Sequence, residues 1–284
     1  PNGGRQTFNA IYLAQNIGVA LGAALGGFVA EFSFNFIFLA NLVMYVLFAL
    51  VAITQFNLEI HAKVKHQDAV DLKSKENRKR FTAMMLVCAM FAICWIAYIQ
   101  WETTIASFTQ SINISMSQYS VLWTINGIMI LVAQPLIRPI IVILRGNLKH
   151  QMFVGILIFM SSFLVTSFAH HFAIFVVGMV ILTFGEMFVW PAVPTIANKL
   201  APEGKQGQYQ GFVNSASTVG KAFGPFIGGV LVDAMNMSMM FVGMIVLLCF
   251  GLIFLSIFDR GLPKDKNETP IPRRRKRRKS KASK

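Results

Sequence analysis

Residues 18–27 read GVALGAALGG, and residues 220–229 read GKAFGPFIGG. Gly18, Gly22, Gly26 and Gly27 fall onto Gly220, Gly224, Gly228 and Gly229 at a single offset, which also carries Glu31 onto Asp233. Glycines four apart stack on one face of a helix and leave a groove that a neighbouring backbone can enter. One such pattern is ordinary helix packing. Two copies in register, six helices apart, predict a chain built from two related halves.

The sequence around both copies is apolar. The chain has 284 residues, 55% of them hydrophobic and 13% charged, where a soluble domain carries about 25% charge. Its mean hydropathy is +0.58. A water-soluble core could not hide this much apolar surface, so the class is membrane. Apolar runs long enough to span a bilayer fall at 7–30, 34–56, 81–105, 119–144, 151–169, 172–197, 208–233 and 237–258. The predicted fold is therefore all-α, a polytopic membrane protein of about eight transmembrane helices. Cys88, Cys94 and Cys249 lie inside these runs and read as small buried hydrophobes. No Cys/His set has metal-ligand spacing, and no catalytic triad, paired-carboxylate site or phosphate loop is present. No enzyme activity, metal or cofactor is expected.

The net charge of +14 is concentrated. Twelve of the 26 Lys and Arg lie between Arg260 and Lys284, and seven more between Lys63 and Arg80. Alternate loops divide cleanly. Residues 1–5, 57–80, 145–150, 199–207 and the tail hold the basic residues; 30–34, 107–118, 170–171 and 233–236 contain no Lys or Arg. Basic loops stay inside, so both termini are expected in the cytoplasm, at the cell membrane. The run Arg273–Lys279, RRRKRRK, then reads as a topology signal near anionic lipid and not as a nucleic-acid site. Asn113-Ile-Ser115 is a glycosylation triplet on the outer side.

The spacing Gly220-Gly224-Pro225-Gly228-Gly229 resembles the glycine-proline motif of the major facilitator superfamily, found in the fifth helix of its drug:proton antiporters. That resemblance covers about Arg5 to Asp259. It implies two six-helix bundles joined by a long cytoplasmic loop, with this chain similar to helices five to twelve and lacking the first four. Residues 1–56 would close the N-terminal bundle, 57–80 would be the central loop, 81–259 a complete C-terminal bundle, and 260–284 a basic cytoplasmic tail. In two respects the chain departs from the pattern. Ala23 stands where the antiporter motif has proline, and the intact motif sits in the eleventh-helix equivalent, with Lys221 inside it.

Ionisable side chains within a bilayer are costly and mark function. Glu186 lies midway along the sixth run, one turn before Trp190, with Pro191 and Pro194 beyond. A carboxyl in a dehydrated cavity can exchange a proton near neutral pH or bind a cation; the alternative is a structural hydrogen bond. Lys221 in the seventh run needs a partner, for which Glu186 is the candidate, unless it reaches back to the cytoplasm. In the resembling family the seventh helix lines the central cavity, so Tyr98, Gln100, Trp101 and Glu102 become substrate-contact candidates. An aromatic belt is the other reading of this helix end. Asn126 and Gln134 are eight apart on one helix face and point inward. Asn214 and Ser217 read as structural hydrogen bonds.

The resemblance implies a secondary transporter working by alternating access, with a small-molecule substrate and protons as partners, and drug-type efflux as the leading mode. The stretch Gly185-Glu186-Met-Phe-Val-Trp190-Pro191 is also similar to the tenth-helix pattern of proton-coupled peptide transporters, where the acid meets a substrate amine. Solute uptake is therefore the alternative. A non-transporting scaffold or inactive truncated product is the alternative of another class.

Overall fold

The computed structural model describes residues 3–55, 75–144 and 147–262, and the chain there is helical. The helices are α1 (Gly3–Phe32), α2 (Phe34–Gln55), α3 (Lys75–Tyr98), α4 (Thr104–Ser111), α5 (Met116–Val132) and α6 (Gln134–Ile143). They continue with α7 (Leu148–Thr166), α8 (Phe172–Val189), α9 (Ala192–Leu200), α10 (Gln206–Ala234) and α11 (Met237–Ile257). No strand occurs among the described residues. The chain is an all-α polytopic membrane protein. Most of the predicted central loop and the basic tail from residue 263 lie outside the described residues.

All eight apolar runs fold as helices, but three fold as pairs. A 3-10 turn at Ile99–Trp101 separates α3 from α4. Pro191, which has no N–H to continue the ladder, stands between α8 and α9. Near Pro135, α5 and α6 meet at 55°. Among the described residues, five helical segments can cross a membrane by length and composition, or six if the bent pair is one span. The glycine-bearing α1 and α10 are 30 and 29 residues long but are not among them.

The core lies in the second part of the chain. There α7 packs on α8, α10 and α11 on α3, α11 on α7, and α5 on α8. Trp101, Phe159, Phe163, Phe175 and Phe241 are fully buried within it. Small residues let the backbones close in: a Cβ on Gly155 would stand 2.9 Å from the Gly185 carbonyl, and the converse holds for Gly185. The Ser162 hydroxyl donates to the Gly178 carbonyl at 2.7 Å, so α7 and α8 are joined by a polar contact as well. Outside this bundle, α1 packs on α5, and α2 packs chiefly on α1. Large apolar side chains of α2, such as Phe38, Tyr45 and Ile53, are exposed.

The two glycine copies differ in what they touch. A Cβ on Gly220 would come within 2.6 Å of the Ala92 carbonyl, and Gly224 and Gly228 are equally closed by Ile99 and Gln100. These three seat α10 on α3 as a groove, as expected. In the first copy only Gly27 is pressed, against Ser120 of α5; Gly18, Gly22 and Gly26 meet nothing within 4 Å among the described residues. Gly229 is likewise open. Cys88 and Cys94 are buried as expected, whereas Cys249 lies on the exposed side of α11. Asn113 adopts φ 63° just before Ser115, which caps α5 through a capping box with Gln118. Asparagine tolerates this left-handed turn, and serine suits the cap, so local structure accounts for both residues of the triplet.

Candidate functional site

A cavity of about 1070 Å³ lies between α1 and the second bundle. Helical periodicity builds its walls. Phe91, Trp95, Tyr98 and Glu102 rise along one face of α3 and its continuation, at intervals of three or four residues. Gln210, Val213, Asn214, Ser217 and Lys221 do the same on α10. Trp123 and Asn126 come from α5, Glu186 from α8, Trp190 from the break that follows, and Gly18, Gly22 and Ala23 from α1.

Glu186 is 3% exposed at the edge of this space. Its Oε2 accepts the Tyr98 hydroxyl at 3.2 Å and the Asn126 amide at 2.9 Å. The same Asn126 amide donates to Thr183 Oγ1 at 3.0 Å, whose own hydroxyl returns to the Met179 carbonyl. Two helices besides its own therefore aim donors at the carboxylate. Buried charge without such donors would be prohibitive.

Rings cluster around Tyr98, one of the two donors to this carboxylate. Trp95 stacks on Trp190 with centroids 4.9 Å apart at 26°. Tyr98 lies 5.3 Å from each of them, and Phe91 meets Trp190 edge-on. Phe159 closes the far side of Tyr98 and Trp190. Lys221 places its ammonium 4.1 Å over the Trp95 ring. Glu102 lines the same cavity.

The structure brings together most of the predicted residues: Glu186, Tyr98, Asn126, Trp190, Glu102 and Lys221. Two corrections follow. The expected Glu186–Lys221 pair is not formed, because Lys221 leans onto Trp95 from α10 while Glu186 is enclosed by donors of α3 and α5. Gln100 and Trp101 are fully buried away from the cavity. Gln100 donates to the Ile96 and Gly224 carbonyls, both at 2.8 Å, and accepts the Thr104 hydroxyl, so it ties the 3-10 turn to α10. The Trp101 carbonyl accepts the Tyr119 hydroxyl, and its ring packs near Gly178. The side chain of Gln134 lies outside the described residues. Trp95 and Trp123 line the cavity without having been singled out, and the spacing Phe91, Trp95, Tyr98, Glu102 was the signal for the first. Asn214 and Ser217, read as structural, also line it.

Residues 90–283 match the family description Major Facilitator Superfamily. The chain is 47% identical over 262 residues to the uncharacterized MFS-type transporter YttB of Bacillus subtilis, covering 92% of this chain and 66% of that one. It is 25% identical over 240 residues to a second from the same organism, YqjV, covering 80% and 56%. The chain thus spans less than two-thirds of the length of either relative. Among solved structures, the peptide transporter POT matches with TM-score 0.56 and 17% identity, over 93% of this chain and 55% of that one. A POT family transporter in complex with 5-aminolevulinic acid matches at TM-score 0.54, with 17% identity over 87% and 52%. These two are likenesses of fold. With the family match covering residues 90–283, the chain belongs to the Major Facilitator Superfamily.

Proposed function

We propose that the chain is a secondary transporter of small molecules that works by alternating access, with Glu186 as its proton-carrying group. The observation that supports this most directly is the setting of Glu186. It is an acid 3% exposed, held by Tyr98 and Asn126, at the wall of a cavity large enough for a small organic molecule. Stacked rings and an acid favour cargo with an aromatic or cationic part, and efflux of such compounds is the leading mode. Both termini face the cytoplasm of a cell membrane, with the basic tail against anionic lipid.

The test uses the chain reconstituted in vesicles under an imposed pH gradient, with a fluorescent cationic dye as cargo. Movement of dye against its gradient is expected, and Glu186→Gln should reduce it by at least about tenfold while leaving dye-for-dye exchange in place. Gradient-driven transport by Glu186→Gln at the parent rate would sink the assignment. A second reading, proton-driven uptake of amine-bearing solutes, draws on the likeness of the Glu186–Pro191 stretch to the peptide-transporter pattern. Accumulation of a dipeptide with the inward proton gradient, and no dye extrusion, would favour it. No movement of either compound would favour the non-transporting reading.

A further inference from the structure

The placement of Lys221 is a product of the glycine pattern. Gly220 and Gly224 let α10 press so closely on the backbone of α3 that the residue between them reaches Trp95 directly. An ammonium over an indole face is held by the ring quadrupole, and Trp is the strongest such face. Yet Lys221 is not tied down. It forms no ion pair and no side-chain hydrogen bond among the described residues, and it is exposed to the cavity. Lys149 shows the contrast: its ammonium holds Asp259 at 2.6 Å and the Ser256 carbonyl at 2.9 Å, joining α7 to the end of α11. Lys221 therefore shares the wall of one cavity with two groups that can hold a cation, the Trp95 face it occupies and the Glu102 carboxylate.

We propose that the Trp95 face is a subsite for an organic ammonium group, and that Lys221 is its tethered occupant when that group is absent. An arriving ammonium takes the indole face and Lys221 moves to Glu102. One cation replaces another on the ring, so the aromatic contact is kept, and the displaced charge finds a carboxylate. Naming the ammonium group as cargo rests on the transport reading; the exchange of cations does not.

The test is a titration of tryptophan fluorescence in the purified chain with choline and with its uncharged isostere 3,3-dimethylbutan-1-ol. Lys221→Met, which keeps the stem and removes the competing charge, should bind choline about tenfold more tightly than the parent. Affinity for the isostere should not change. Lys221→Arg should bind choline as weakly as the parent, because a guanidinium still stacks on indole. Adding Trp95→Leu to Lys221→Met should remove the gain. Equal choline affinity in the parent and Lys221→Met, an equal gain for the isostere, or a gain that survives Trp95→Leu each overturns the proposal. Glu102→Gln decides the matter if Lys221→Met does not fold. With that carboxylate gone, Lys221 stays on the ring and choline binds several-fold more weakly, whereas unchanged affinity overturns the exchange. Binding is read without a gradient, so its failure leaves the transport reading standing, and failed transport leaves the exchange standing.

Discussion

Asn126 shows how one side chain can set the behaviour of another. Its amide nitrogen serves both Thr183 and Glu186, and it reaches them from a different helix. Removing either donor to the carboxylate weakens its placement without deleting it. Tyr98→Phe and Asn126→Ala are each expected to slow gradient-driven transport several-fold, less than Glu186→Gln does, with stacking of Trp95 on Trp190 intact by near-ultraviolet circular dichroism. A full loss equal to that of Glu186→Gln in either variant would contradict this ranking. Gly228 is a different kind of residue. Its missing side chain is where the Gln100 amide and Thr104 hydroxyl sit. Gly228→Ala should destabilise the chain by about 1–3 kcal/mol through overpacking, read as a lower unfolding temperature in detergent. Gly229→Ala, with open space around it, should not. Sequence reading singled out Glu186 and Asn126 because a polar group in an apolar run stands out, and Tyr98 through the family resemblance. It misplaced Gln100 and Trp101 because the resemblance assigned the whole helix end to the cavity, whereas only one face of it gets there. Neighbouring residues diverge by about 100° around a helix, and it is Trp95, not Trp101, that shares the face of Tyr98.

Broken helices are the characteristic element of this chain, and two of the three breaks serve the cavity. The 3-10 turn after Tyr98 carries Glu102 back toward the cavity while it leaves Trp101 in the core. The break at Pro191 leaves Trp190 at the end of α8, where it stacks on Trp95. Pro191→Ala restores a backbone donor and allows α8 to run on into α9. The expected result is loss of the exciton signal of the stacked indoles and of dye binding, with helix content unchanged or slightly raised. Retention of the signal would show that packing alone fixes Trp190. The positions of these breaks were legible in part. Prolines at 135, 191 and 194 announce bends, but the angle between α5 and α6 depends on neighbours that periodicity does not reveal. Nothing in the local sequence marks the turn at Ile99–Trp101. It is stabilised at a distance, by Gln100 reaching the Gly224 carbonyl.

At the scale of the whole molecule, alternate loops rich and poor in Lys and Arg predict that both termini lie on one side. Single cysteines introduced at Ser111 and Glu203, in a background without Cys88, Cys94 and Cys249, test this in intact cells. The first should react with an impermeant maleimide from outside and the second should not. The reverse pattern would invert the orientation, and equal labelling would undo the count of crossings between them. The repeat itself was visible as the matched glycines. Their unequal packing was not, because the same four residues can seat a neighbour or leave a surface bare, depending on what lies opposite.

That inequality has a consequence for selectivity. Where α1 faces the cavity with Gly18 and Gly22, nothing among the described residues fills the space a side chain would take. The acids, the ammonium and the indoles all stand on the other wall. Substitutions on α3, α8 and α10 should therefore change which chemical groups are accepted. Bulk added at Gly18 or Gly22 should change only the largest molecule that fits, trimming the upper size limit while the preference among small compounds stays as it was.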